Sequence, residues 1–195
     1  MRTIIVVWCA LTLTDSASAA IEQGRPPARH KLWTEYRHKV FNGESAARSV
    51  ASGGIDTALN YPHEWGQGAG GFAKRVGSAF GQHVVAGTIE VGVGMLRHED
   101  LHYHRSNEHG TWPRLKYAVK STFIVPRTNK SGKTLATGRI VGNMSAGLIS
   151  RSWQPASAAG VGAGLASGGI ALAGDVGLHV AHEFWPQKRH HNGKA

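Results

Sequence analysis

From Phe72 to Met95 the residues Phe72, Val76, Phe80, Val84, Thr88, Val91 and Met95 recur at steps of three or four. That spacing marks one face of an α-helix and predicts a long helix over 72–96 carrying an apolar stripe. A shorter series predicts a helix over 44–59 with Ala51, Ile55 and Leu59 inward, weakened by Gly53-Gly54 and stopped by Tyr61-Pro62. Trp112-Pro113 opens a third helix with Leu115, Val119 and Phe123 inward, its proline placed where a missing N–H costs nothing. Small residues at four-residue steps over Gly138–Ser150 mark a fourth, and Ala156–Phe184, stopped by Pro186, the last long one. Lys31–Val40 is aromatic and basic and fits a short helix. Thr122–Val125 and Lys133–Val141, either side of a turn at 126–132, also fit a short β-hairpin near 122–141. The expected fold is all-α: a single helical domain of about five helices.

Beside the apolar positions run three ridges of small residues: Ala73/Gly77/Gly81, Gly138/Gly142/Ala146 and Gly160/Gly164/Gly168. A glycine inside a helix costs about 0.5–1 kcal/mol relative to alanine. Close approach of a neighbouring backbone compensates through dispersion and weak Cα–H···O bonds, so the ridges predict glycine-zipper packing. Such ridges suit membrane helices and tightly packed soluble bundles alike. Residues 156–174 carry no formal charge and just reach spanning length, yet only Val161, Leu165, Ile170 and Leu172 among them are large and apolar. A buried soluble helix and a membrane-inserted one both fit.

The first nineteen residues read as a signal peptide. Met1-Arg2 is positive, residues 4–13 are apolar but too short to span a bilayer, and Ala17-Ser18-Ala19 supplies the cleavage pattern before Ala20. The expected organisation is a signal peptide (1–19), a basic N-terminal segment (20–43), a helical domain (44–186) and a basic tail (187–195). Cys9, the one cysteine, lies inside the signal, so the mature chain is expected to carry no thiol. That suits an oxidising compartment and removes cysteine nucleophiles and thiolate metal sites. It also makes nucleic acid an unexpected partner.

Lys and Arg number 22 against 12 Asp and Glu, a formal charge of +10. No acidic residue occurs from His109 through Gly174, where Arg114, Lys116, Lys120, Arg127, Lys130, Lys133, Arg139 and Arg151 all fall. A stretch of one sign attracts anionic surfaces, and for an exported chain the nearest is the envelope with its anionic lipids. The same charge also serves a solvated face that keeps the protein soluble.

Two segments match chemical motifs and two more fall short of one. His98-Glu99-Asp100-Leu101-His102 reads H-E-x-x-H, which on a helix sets His98 and His102 on one face as zinc ligands with Glu99 as general base. Asp100 is charged where such a helix is usually neutral, Arg105 and Glu108 break the metzincin extension, and no motif singles out a third ligand. A polar cluster closing the 72–96 helix is the simpler reading. Gly66-x-Gly68-x-x-Gly71 matches the dinucleotide fingerprint but follows no strand, so it reads as a flexible loop before a helix. Gly132-Lys133-Thr134 lacks the first glycine of a P-loop, since Arg127 stands there, and Ser145 is misplaced for a nucleophile elbow.

Glu64-Trp65-Gly66-x-Gly68, His98-Glu99-Asp100-x-x-Tyr103-x-Arg105 and Glu183-Phe184-Trp185-Pro186 follow one another with Phe72–Gly77 and Arg114-x-x-Tyr117-Ala118-Val119 between. The series, over about residues 60–186, resembles an uncharacterised family of exported bacterial proteins, whose domain also occurs after carboxypeptidase-regulatory-like modules. The resemblance implies export and one domain. Its pattern often has Arg at the position of His102, which implies no shared zinc site. The expectation is therefore an exported structural or interaction protein of the periplasm or cell envelope, without cofactor. Its expected partners are an anionic membrane and, as an option, further copies of itself. The alternative is a zinc-dependent hydrolase using His98, Glu99 and His102.

Overall fold

The computed structural model describes residues 33–34, 36–37 and 40–185. The expected signal peptide, most of the basic N-terminal segment and the basic tail lie outside the described residues. The described chain forms five helices: α1 (Gly43–Ala58), α2 (Ala69–Leu96), α3 (Thr111–Phe123), α4 (Thr137–Ile149) and α5 (Val161–Phe184). Between α3 and α4 lie β1 (Ile124–Pro126) and β2 (Lys133–Leu135). These two strands pair antiparallel, Ile124 opposite Leu135 and Pro126 opposite Lys133. The all-α fold with a short hairpin is what the periodicity predicted. The hairpin ends sooner than the apolar run allowed, because Thr137 onward turns into α4.

α2 is the central element, packed against α1 and α4; α4 packs in turn on α5, and α5 on α3. Asn42 starts α1, its side-chain oxygen accepting the Ser45 N–H at 2.7 Å. Trp33, Tyr36 and Phe41 form a chain of ring contacts that ends on Phe80 of α2.

The helices are where periodicity put them, but the faces are not. Of the 72–95 stripe only Val91 is buried; Phe72, Val76, Phe80, Val84 and Met95 are half-buried and Thr88 is exposed. α2 instead buries Gly71, Arg75, Ala86, Gly87, Glu90, Val91 and Gly94. In α1 the expected inward residues Ala51, Ile55 and Leu59 are all exposed, and Ser45, Ser49 and Gly53 face the bundle. α3 buries Ala118 and Thr122 in place of Leu115, Val119 and Phe123. The physical reason is inter-helix distance. A Cβ on Gly53 would lie 2.8 Å from the Val76 backbone nitrogen, a spacing no large side chain permits.

Close approach concentrates on α4. A Cβ on Gly138 would stand 2.7 Å from the Glu90 carbonyl oxygen, and one on Gly142 at 2.7 Å from that of Ala86. On the opposite side of α4, a Cβ on Gly147 would meet Gly168 N at 2.7 Å and the Gly164 carbonyl oxygen closer still. Gly164 and Gly168 face α4 likewise, within 3.1 Å and 2.9 Å of the Gly147 and Asn143 carbonyl oxygens. Two expected ridge members do not take part. Gly77 has open space where its Cβ would be, and Gly160 precedes α5 with nothing near it. Gly81 makes only an ordinary contact with the Trp153 ring, at 3.7 Å. Gly94 and Gly147, outside the expected ridges, are part of the tight packing.

Candidate functional site

The H-E-x-x-H letters do not lie on a helix. α2 ends at Leu96, and His98 takes a left-handed conformation with φ of 55°. Its N–H donates to the Met95 carbonyl at 3.2 Å, and the Glu99 N–H donates to that of Gly94 at 2.8 Å. This is the paired geometry that closes a helix C-terminus, with His98 where glycine usually sits. Asp100 and Thr128 then tie the segment to the hairpin, through Asp100 N–H to Pro126 O and Thr128 N–H to His98 O. The buried Glu99 carboxylate accepts the first N–H groups of α4, from Thr137 at 3.1 Å and Gly138 at 2.9 Å, and the Arg97 guanidinium at 3.0 Å. An anion at a helix N-terminus meets both its free donors and its dipole. His102 and His104 instead gather around Asp100, His104 Nε2 standing 2.8 Å from its carboxylate. Burial alone would raise the Asp100 carboxyl, but hydrogen bonds from the His102 N–H and the His104 ring, with the charges of both histidines, together outweigh it and hold it below its ordinary range. Among the described residues no group of three His, Cys, Asp or Glu could hold a metal ion.

The glycine-rich loop before α2 has the wrong polarity for a phosphate. It wraps Arg75, 1% exposed, whose guanidinium donates to the backbone carbonyls of Tyr61, Pro62 and Gly66 and toward Asn60 Oδ1. A phosphate cradle offers N–H groups, whereas this loop offers oxygens to a cation.

Three more ionic contacts and one hydroxyl–imidazole hydrogen bond run through the bundle. Arg139 of α4 meets Glu90 of α2 at 3.2 Å and donates to the Thr122 carbonyl at 2.9 Å. Asp175 of α5 accepts from Arg48 at 2.6 Å and Asn143 at 2.8 Å. Thr122 Oγ1 lies 2.8 Å from His179 Nδ1, and the Tyr103 ring stacks on that imidazole with centroids 4.5 Å apart. Glu183 closes the series, accepting from Tyr103 at 2.7 Å, from Ser106 at 2.6 and 3.0 Å and from Arg114 at 3.0 Å. Burial alone would raise the Glu183 pKa; the donors on Ser106, Tyr103 and Arg114 outweigh it and bring it down to about 2. Burial, helped by the Glu183 charge, pushes the Tyr103 phenol upward. Each of these carboxylates is occupied by donors, so the arrangement braces helices rather than presenting a free base.

With ionic and small residues taking much of the interior, many of the large apolar ones are left outside. Along α5 the exposed positions from 161 to 181 are Val161, Gly162, Leu165, Ala166, Ile170, Ala173, Gly177 and Ala181, with no polar side chain among them. Val161 and Ile170 are 70% and 73% exposed. The buried face carries Gly164, Gly168, Leu172, Asp175, His179 and Glu183. α4 repeats the inversion: Val141, Leu148 and Ile149 are exposed, and Gly138, Arg139, Gly142, Asn143, Ala146 and Gly147 are buried. α5 alone among the described helices is long and apolar enough to cross a membrane. Exposed Trp112 and Trp185 lie at the end of the bundle where α3 meets α5, with the Lys116 ammonium 5.2 Å from the Trp112 ring. The signal that could have found this face was already visible: 156–174 has no charge, and its next ionisable residues, Asp175, His179, His182 and Glu183, share one helical side. In comparison with known proteins, the chain matches no protein family, no curated protein and no solved structure.

Proposed function

We propose that this chain is an exported, non-enzymatic protein of the cell envelope that lays the outer face of α5 and α4 against an anionic membrane. The single observation that carries the reading is the all-apolar exposed face of α5 over 161–181. A contiguous apolar surface of that kind marks an interaction site, since water gains nothing from it. Interior ion pairs with exterior aliphatic side chains, and helices in contact through glycine, are the distribution expected where the outer solvent is hydrocarbon. Exposed Lys116, Lys120, Lys130 and Lys133 on the neighbouring α3 and hairpin supply attraction to anionic headgroups, with Trp112 and Trp185 suited to the interface.

Fractionation of producing cells tests the reading. The protein is expected in the membrane pellet, retained through a high-salt wash that screens its lysines, and released by detergent. Recovery as a soluble monomer would refute it. A soluble oligomer with no membrane pool would also refute it and assign the face to a second copy of the chain.

A further inference from the structure

A groove of about 600 Å³ runs between α1 and α5 with α2 as its floor. That volume lies within the ordinary range of small-molecule sites. Its α5 edge extends from Ala163 to Gly174, about 16 Å along the helix axis. The walls are largely aliphatic, with Ala51 and Ile55 on α1, Leu59 just past its end, and Ala163, Ala166 and Ile170 on α5. These α1 residues are the ones whose periodicity promised burial, and they border the groove instead of the core.

The two ends differ. At the Gly174 end the Arg48 charge is met by Asp175 at 2.6 Å. At the other end stands Arg151, which donates to the backbone oxygens of Gly147 and Ala158 and to Ser150 Oγ. No carboxylate among the described residues lies within ion-pair distance of it. Near it the Gln154 Nε2 donates to Ser78 Oγ at 2.9 Å. The lining as a whole carries three arginines and a single carboxylate, Asp56. A cation with no carboxylate partner at the end of an aliphatic groove favours an anionic ligand.

We propose that the groove binds a single-chain anionic amphiphile, the anion at Arg151 and the chain between α1 and α5. The site does not depend on the membrane-docking reading, because the ligand is presented below its micelle concentration in the absence of a bilayer. Charge complementarity selects the anion and the aliphatic walls select the chain.

Isothermal titration of the purified, delipidated protein tests this with three probes. They are a lauroyl lysophosphatidylglycerol, the lysophosphatidylcholine of the same chain, and glycerol phosphate without a chain. The anionic lysolipid is expected to bind saturably, at least tenfold tighter than the zwitterion, and glycerol phosphate to bind far more weakly than either. Arg151→Gln is expected to abolish the preference for the anion. Because Arg151 also holds backbone carbonyls, Ala51→Trp is the second variant: it fills the groove from an exposed helix position and is expected to abolish binding of both lysolipids with unchanged helicity. Equal affinity for anion and zwitterion, no saturable binding, or undiminished binding by a folded Ala51→Trp would each overturn the proposal.

Discussion

The Glu99 carboxylate accepts the N–H of Gly138 at 2.9 Å, thirty-nine residues away, and thereby fixes the end of α2 to the start of α4. This contact brings into register the stretch where Gly138 and Gly142 lie against the α2 backbone. Glu99→Ala removes a cap and leaves two α4 donors without a partner, and is expected to destabilise the fold by about 1–3 kcal/mol. His98→Gly places the preferred residue at a left-handed position and should leave stability unchanged or raise it by up to about 1 kcal/mol. Thermal unfolding of both variants checks the pair. A Glu99→Ala protein as stable as the wild type would contradict the capping role.

Gly138 and Gly77 provide a matched contrast. Gly138→Ala pushes a methyl group into the backbone of Glu90 and Gly94 and is expected to cost at least about 2 kcal/mol. Gly77→Ala meets open space and should gain about 0.5–1 kcal/mol from helix propensity. Chemical denaturation measures both, and equal effects would show that α2 and α4 are not in backbone contact.

Glu183 makes acid stability measurable. Its pKa falls from 4.5 to about 2 in the folded state, so its contribution is complete above pH 4.5. That contribution is lost as the pH falls from 4.5 toward 2, and it amounts to at most about 3 kcal/mol. Denaturation at pH 7 and pH 3 is expected to show the loss in the wild type. Glu183→Gln should already be destabilised at pH 7 and change less between the two pH values. A wild type as stable at pH 3 as at pH 7 would contradict the assignment.

Helix number, the 72–96 span and the close packing at Gly138, Gly142, Gly164 and Gly168 were legible because each depends on spacing within one segment, whereas Gly147 was missed and Gly160 was expected in error. The faces were not. A hydrophobic stripe names the inward side only where neighbours leave room for large side chains, and the approach of α2 to Gly53 leaves none on α1. Arg75 and Glu183 were invisible for another reason: their partners at 60–66 and at 103–114 meet them only once the chain has folded. His98-Glu99 misled in the opposite sense, since letters that bind zinc on a helix here terminate one helix and cap another. Even so, the uncharged run before Asp175 carried the feature on which the proposed function rests.

Flotation with lipid vesicles tests the membrane-docking face most directly. The wild type should float with vesicles containing phosphatidylglycerol at low salt, and the doubly substituted Leu165→Glu/Ala173→Glu protein should stay at the bottom. Both positions are exposed on α5, so circular dichroism should show the same helicity in the two proteins. A double variant that floats as fully as the wild type, or a wild type that floats with no vesicle, would contradict the account.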